Sequence, residues 1–327
     1  MTSSRTMVAI AASAAALAGM ALQVRANARR AEREHPPTGR FVEAGGVRLH
    51  YVEGGIGGPP VVLLHGNAVL AEDYAASGVF GRVAEHHRVV AFDRPGYGYS
   101  QRPRDRLWTA EAQAAVLAEA FARLGIVRPV VVGHSWGTLV AMALALNHPE
   151  AVRGLVLLSG YYFPTARADV PLFAPPAIPV IGDAIRYTVG PLVGQLIAPK
   201  MIRTMFAPAP VSPAFTDAVP IPMMLRPWQV KASAEDAATM IPGATGFQER
   251  YAELAHLPVA ILAGADDRIV DVGRQSARLH RALPRSELHV LPGLGHMVHH
   301  GAPERVVAAI EAVAAPGQQR DAALPGL

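Results

Sequence analysis

The chain has 327 residues, 51% of them apolar and 17% charged, with no cysteine. This composition excludes a disordered protein, a disulfide framework, thiolate metal sites and a cysteine nucleophile. The formal charge of +4 arises entirely from residues 1–40, so residues 41–327 are neutral and carry no basic footprint for nucleic acid.

Residues 7–24 read MVAIAASAAALAGMALQV, 18 residues without a charge, eight of them alanine. As a helix this run would reach ~27 Å, close to the ~30 Å hydrocarbon core of a bilayer. It is expected to be a membrane anchor. Arg25, Arg29, Arg30 and Arg33 on its C-terminal side would keep the main domain cytoplasmic. A cleaved signal peptide, suggested by Ala26-Asn27-Ala28 and leading to export, and a plain alanine-rich helix are the other readings. Residues 1–40 are taken as this segment plus a linker, outside the fold.

From residue 41 the pattern alternates strands with helices. Phe41–Val42 and Val47–Val52 flank Gly45-Gly46, a hairpin signal. Val61–Leu64, Val89–Phe92, Val130–Val132, Leu155–Leu158, Val259–Leu262 and Leu288–Leu291 are short, apolar and mostly rich in β-branched residues. Such runs predict a parallel sheet covered on both faces. Helices are predicted at Thr109–Leu124, Trp136–Asn147, Val272–Leu283 and Pro303–Val313. Together these give a doubly wound, mostly parallel α/β fold, with core segments at 41–160 and 251–315. Residues 161–250 hold 14 of the 28 prolines and five of the ten methionines. That density predicts an inserted cap of short helices whose apolar face lines a substrate pocket. Residues 316–327 are expected to fray.

Gly133-His134-Ser135-Trp136-Gly137 lies between a strand and a helix, where a sharp turn exposes the serine hydroxyl at a helix N-terminus. A serine hydroxyl needs a base, and the base an orienting acid. Asp267 follows the Val259–Leu262 strand, and His296 follows the Leu288–Leu291 strand in a glycine-flanked loop. The order Ser135, Asp267, His296 suits convergence at the carboxyl ends of parallel strands. Asp266 is the rival acid. His134 is read as packing, and His65 as ordering the loop His65-Gly66-Asn67. The backbone N–H groups of Asn67 and Trp136 are candidate oxyanion donors. His299 and His300 read as a solvated loop, so no metal is expected.

Five blocks, LLHGN, DRPGYGYS, GHSWG, GADDRIV and GLGHMVH, resemble the α/β-hydrolase superfamily in its esterase, haloperoxidase and epoxide-hydrolase-like branch. The resemblance spans about residues 41–315. It implies a nucleophile at Ser135, an acid at Asp267, a base at His296, oxyanion donors at Asn67 and Trp136, and a structural turn at Asp93–Ser100. It implies no cofactor. Asn67 and Trp136 also resemble the halide-holding pair of haloalkane dehalogenases. Those enzymes, like epoxide hydrolases, use an aspartate where Ser135 stands, and an alkyl ether on serine would be a dead end. The expectation is a serine hydrolase for a small, largely apolar acyl substrate. Perhydrolase, haloperoxidase-like or carbon–carbon hydrolysis on the same three residues, or ligand binding with a relic triad, are the alternatives.

Overall fold

The computed structural model describes residues 4–167 and 170–315; the tail expected to fray, 316–327, lies outside them. Eight strands form one sheet in the order β1-β2-β4-β3-β5-β6-β7-β8. They are β1 Arg40–Ala44, β2 Val47–Gly54, β3 Val61–Leu64, β4 Val89–Phe92, β5 Val130–His134, β6 Gly154–Leu158, β7 Val259–Gly264 and β8 Glu287–Leu291. The β1–β2 hairpin and the β2–β4 pair are antiparallel; β4, β3, β5, β6, β7 and β8 run parallel. This is the predicted mostly parallel α/β layer fold. Strands β3 to β7 are buried on both faces, as their unbroken apolar runs require. β8 differs: it is the sheet edge, and Val290 is exposed.

Helix Ala110–Leu124 begins at Thr109, whose hydroxyl accepts from the Ala112 N–H. Helix Gly137–Asn147 is buried along almost its whole length, which its apolar sequence anticipates. The predicted helix at Val272–Leu283 starts only at Ser276. Asp271 caps the turn before it through the Arg274 N–H, and the Gln275 side chain is drawn away to bind the backbone of Tyr162 and Phe163.

Two expectations are corrected. Between β6 and β7 the chain is helical, but its helices are not all short: Val189–Phe206 has 18 residues and Pro227–Phe247 has 21. Pro227 sits at the first helical position, where its missing N–H costs nothing, and Pro199 and Pro242 are absorbed inside the helices. The N-terminal segment, in turn, is one helix, Ser4–Glu34, long and apolar enough to cross a membrane. Its last turns are not a linker outside the fold. Val24, Ala28 and Ala31 are buried, and Glu32 pairs with the buried Arg226 at 2.9 Å.

The turn Asp93–Ser100 is structural, as the resemblance implies. The Asp93 carboxylate accepts from Ala71 N (2.9 Å), Tyr99 N (3.0 Å) and the His50 imidazole (2.7 Å). Glu72, one residue further on, is mostly buried, and its Oε2 has no hydrogen-bond partner among the described residues. Burial, reinforced by the Asp93 charge, pushes its carboxyl from 4.5 up to about 7. The folded state therefore holds this proton more tightly than the unfolded chain, and stability falls as pH rises from about 4.5 through 7. Glu72→Gln removes that loss: in thermal melts the variant should gain on the wild type by several degrees at pH 8 and show little difference at pH 4.5.

Candidate active site

Ser135 leaves β5 with φ +51°, in the left-handed region that a residue with a Cβ adopts only under constraint. The constraint is on both sides: Ser135 N–H donates to Leu158 O at 2.9 Å, and Ser135 O accepts from Thr138 N and Oγ1 at 3.0 and 2.6 Å. Glycine is obligatory two residues on. A Cβ at Gly137 would lie 2.4 Å from Leu64 O and 2.6 Å from His65 O, so the elbow helix can press against the end of β3 only there.

The structure brings the three residues expected to act together into one hydrogen-bonded line. His296 Nε2 is 2.9 Å from Ser135 Oγ, and His296 Nδ1 is 2.8 Å from Asp267 Oδ2. Asp267 is oriented by the N–H groups of Ile269 (2.7 Å) and Val270 (2.9 Å), which donate to its other oxygen. The rival Asp266 instead accepts from the Gly293 N–H and points away. The His296 loop is gripped at both ends of its peptide: its N–H donates to Met205 O at 3.0 Å, and its carbonyl lies 3.2 Å from His134 Nε2. His134 thus packs beneath the loop rather than serving Ser135. Burial, with the charges of His299 and His296, holds its imidazole well below the ordinary histidine range.

His65 orders its loop, as its position suggests. Nδ1 contacts Gly66 O at 2.7 Å, and Nε2 accepts the Arg94 N–H at 3.0 Å, the pattern of a neutral ring. Burial and then the neighbouring Arg94 charge lower it to about 4. The loop runs directly beside the serine: a Cβ at Gly66 would lie 3.2 Å from Ser135 Cβ.

His299 and His300 do not lie in a solvated loop; that reading is corrected. Both imidazoles turn inward onto one buried carboxylate, their Nε2 atoms 2.8 and 2.7 Å from the two oxygens of Asp73. Burial alone would raise Asp73, but the two histidines outweigh it and hold it well below the usual carboxylate range. Asp73 comes from 226 positions upstream of His299, so no local spacing could reveal it. The three groups are close enough to share a metal ion, and their mutual hydrogen bonds already satisfy the facing atoms.

Sequence reasoning also missed what fixes the cap. Asp236, on helix Pro227–Phe247, is fully buried and accepts from Arg94 Nη1 (2.8 Å), Arg102 Nη1 (3.1 Å) and Gln113 Nε2 (3.2 Å), with the Tyr97 hydroxyl 2.8 Å away. Arg94 also holds His65 O and Gly66 O, and lies over the Trp136 ring. The Trp136 indole N–H donates to Asp236 O at 2.8 Å, and Asn67 Nδ2 donates to Ser233 O at 3.1 Å. Both side-chain donors that resemble a halide cradle are therefore occupied by cap backbone.

A cavity of about 580 Å³ adjoins the site from the acid side. Its wall includes Ile269 and Val270, which orient Asp267, Met205, which holds His296, and Leu172, Phe173 and Met201 of the cap. Its lining stops short of Ser135.

Sheet order, elbow and cap define the class. Residues 59–303 match the family described as alpha/beta hydrolase fold, and the chain belongs to it. Among its relatives, haloalkane dehalogenase 2 of Mycobacterium tuberculosis is 27% identical over 288 residues, covering 84% of this chain and 94% of that protein. The 2-hydroxy-6-oxo-2,4-heptadienoate hydrolase of Pseudomonas putida is 29% identical over 266 residues, covering 80% and 90%. A thermophilic esterase from Thermogutta terrifontis superposes with a TM-score of 0.68 at 25% identity, covering 84% of this chain and 97% of that one.

Removing Asp236 would leave Arg94 buried without its carboxylate, a loss of about 3–5 kcal/mol for a broken buried pair. Asp236→Ala should lower the denaturant midpoint accordingly and expose the 189–247 segment to limited proteolysis, while Glu249→Ala, at an exposed position near the end of the same segment, should do neither.

Proposed function

We propose that the chain is a serine hydrolase that cleaves an ester, or a related acyl bond, of a small and largely apolar substrate through an acyl-enzyme. The observation that carries this reading is the Ser135–His296–Asp267 line, with contacts of 2.9 and 2.8 Å. His296 Nε2 takes the Ser135 hydroxyl proton as Oγ attacks the acyl carbon. Asp267 holds Nδ1–H and stabilises the imidazolium that forms. The N–H groups of Asn67 and Trp136 receive the oxyanion, and the positive end of the elbow helix adds to that field. His296 then returns the proton to the leaving alkoxide. Water, deprotonated by the same imidazole, releases the acid and restores Ser135.

The relationship to a dehalogenase does not extend to its chemistry in this reading. A serine at position 135 would yield an ether that water cannot open, and the Asn67 and Trp136 side chains already donate elsewhere. Carbon–carbon bond hydrolysis is the second reading, favoured by the 29% identity to the heptadienoate hydrolase. Helix Ser4–Glu34 is proposed to anchor the enzyme in a membrane through residues 7–24, with the catalytic domain on the cytoplasmic side; export behind a cleaved signal is the alternative.

Ser135→Ala should reduce hydrolysis of p-nitrophenyl acetate and butyrate by about 10³-fold or more and abolish labelling by a fluorophosphonate probe. Full retention of hydrolysis in the variant would end the proposal. Turnover of a vinylogous diketone with no turnover of any ester would favour the second reading.

A further inference from the structure

Helix Val189–Phe206 is apolar on two opposite faces. Pro191, Ala198, Ile202 and Phe206 face the protein and are buried. Val189, Leu192, Val193, Leu196, Ile197 and Met201 form a second stripe at helical spacing, and all six are exposed, Leu196 by 82%. A helix apolar all round is expected to be covered all round. Val180 and Ile181, at the start of the preceding short helix Ile181–Tyr187, are exposed as well, by 79% and 58%. Exposed aliphatic surface this continuous marks an interaction face.

Three observations say what covers it. The N-terminal helix docks beside this helix: its base packs on helices Ile181–Tyr187 and Ile221–Met224, and Val24, Asn27 and Ala28 line one groove together with Pro191 and Gln195. Residues 7–22 then continue from that base almost entirely exposed, as an apolar rod that little covers among the described residues. Finally, the patch has a cationic fringe. Lys200 follows the stripe and lines the 580 Å³ cavity with Arg268 and Arg274 against the single acid Asp271, and Arg25, Arg29 and Arg33 lie at the base of the rod. Aliphatic side chains with this excess of cations, near a helix of membrane-spanning length, match an anionic lipid surface.

We propose that the 189–201 face of the cap lies in the headgroup region of the bilayer that residues 7–24 enter, so that the protein touches the membrane through its cap as well as its anchor. Ile197 and Met201 belong both to this face and to the cavity wall. Docking therefore brings the cavity mouth to the lipid surface, where a substrate with an acyl chain is concentrated. The inference goes beyond the hydrolase reading and rests only on the anchor.

Because the chain has no cysteine, one introduced thiol can be labelled without background. The full chain carrying Leu196→Cys, labelled with a nitrobenzoxadiazole fluorophore, is reconstituted into vesicles of phosphatidylcholine and phosphatidylglycerol in equal parts. Glu150→Cys, exposed beside the start of β6 at the opposite pole from the cap, is the control. A far-UV circular dichroism spectrum and a melting midpoint equal to those of the unlabelled protein report intact folding. Brominated acyl chains in the lipid should quench the probe at 196 at least twofold and leave the probe at 150 unchanged. Vesicle capture of the protein with an unquenched 196 probe would overturn docking and leave the anchor standing. Failure of capture would overturn both. Crosslinking of 196 to 196 between two copies, without quenching by lipid, would assign the face to a second copy of the chain and equally overturn it.

Discussion

A serine held in left-handed backbone at the exit of a central strand is the constraint on which the rest of this molecule turns. Ser135 can stay at φ +51° only because β6 accepts its N–H and the first turn of the next helix claims its carbonyl. It also needs a bare backbone at Gly137, where the helix presses against the carbonyls ending β3. That close approach brings the His65–Gly66 loop beside Ser135, so the proposed nucleophile and oxyanion donors would share one origin. His296 and Asp267 then reach the same point because β7 and β8 run parallel to β5 and end at the same edge.

The cap is part of this arrangement. One buried carboxylate, Asp236, gathers Arg94, Arg102 and Gln113 from the core, while its backbone carbonyl receives the Trp136 indole. A buried ion cluster of this kind is a weak source of net stability and a strong source of geometry, because every partner is stranded if one is removed. The cap end also supplies the Met205 carbonyl that fixes the base loop. Cap position and catalytic geometry are thus coupled through His296 and Trp136, and a substrate that displaces the cap would disturb both.

Strands β3 to β7 were legible because each holds a short apolar run and is buried on both faces, and β1 and β2 because they flank Gly45-Gly46. The meeting of Ser135, Asp267 and His296 was legible because parallel strands ending at one edge bring the residues that follow them together. The cap was legible as an insertion and illegible in detail. Proline counts forecast short helices, yet a proline in the first turn starts a helix, and interior prolines were tolerated at 199 and 242. Asp236 lies in a run of alanines and acids with nothing local to single it out; its partners are more than 100 residues away. Asp73 escaped notice for the same reason, which is why His299 and His300 were misread as solvated.

The central claim is that chemistry passes through a covalent acyl group on Ser135, and the most direct measurement looks for that group. The protein is mixed with p-nitrophenyl butyrate, quenched in acid within the first turnover, digested and examined by mass spectrometry. One butyryl increment is expected on the peptide containing Ser135, accumulating further when His296→Gln slows attack by water. An increment on an aspartate, or turnover of the ester with residue 135 unmodified at every time point, would contradict it.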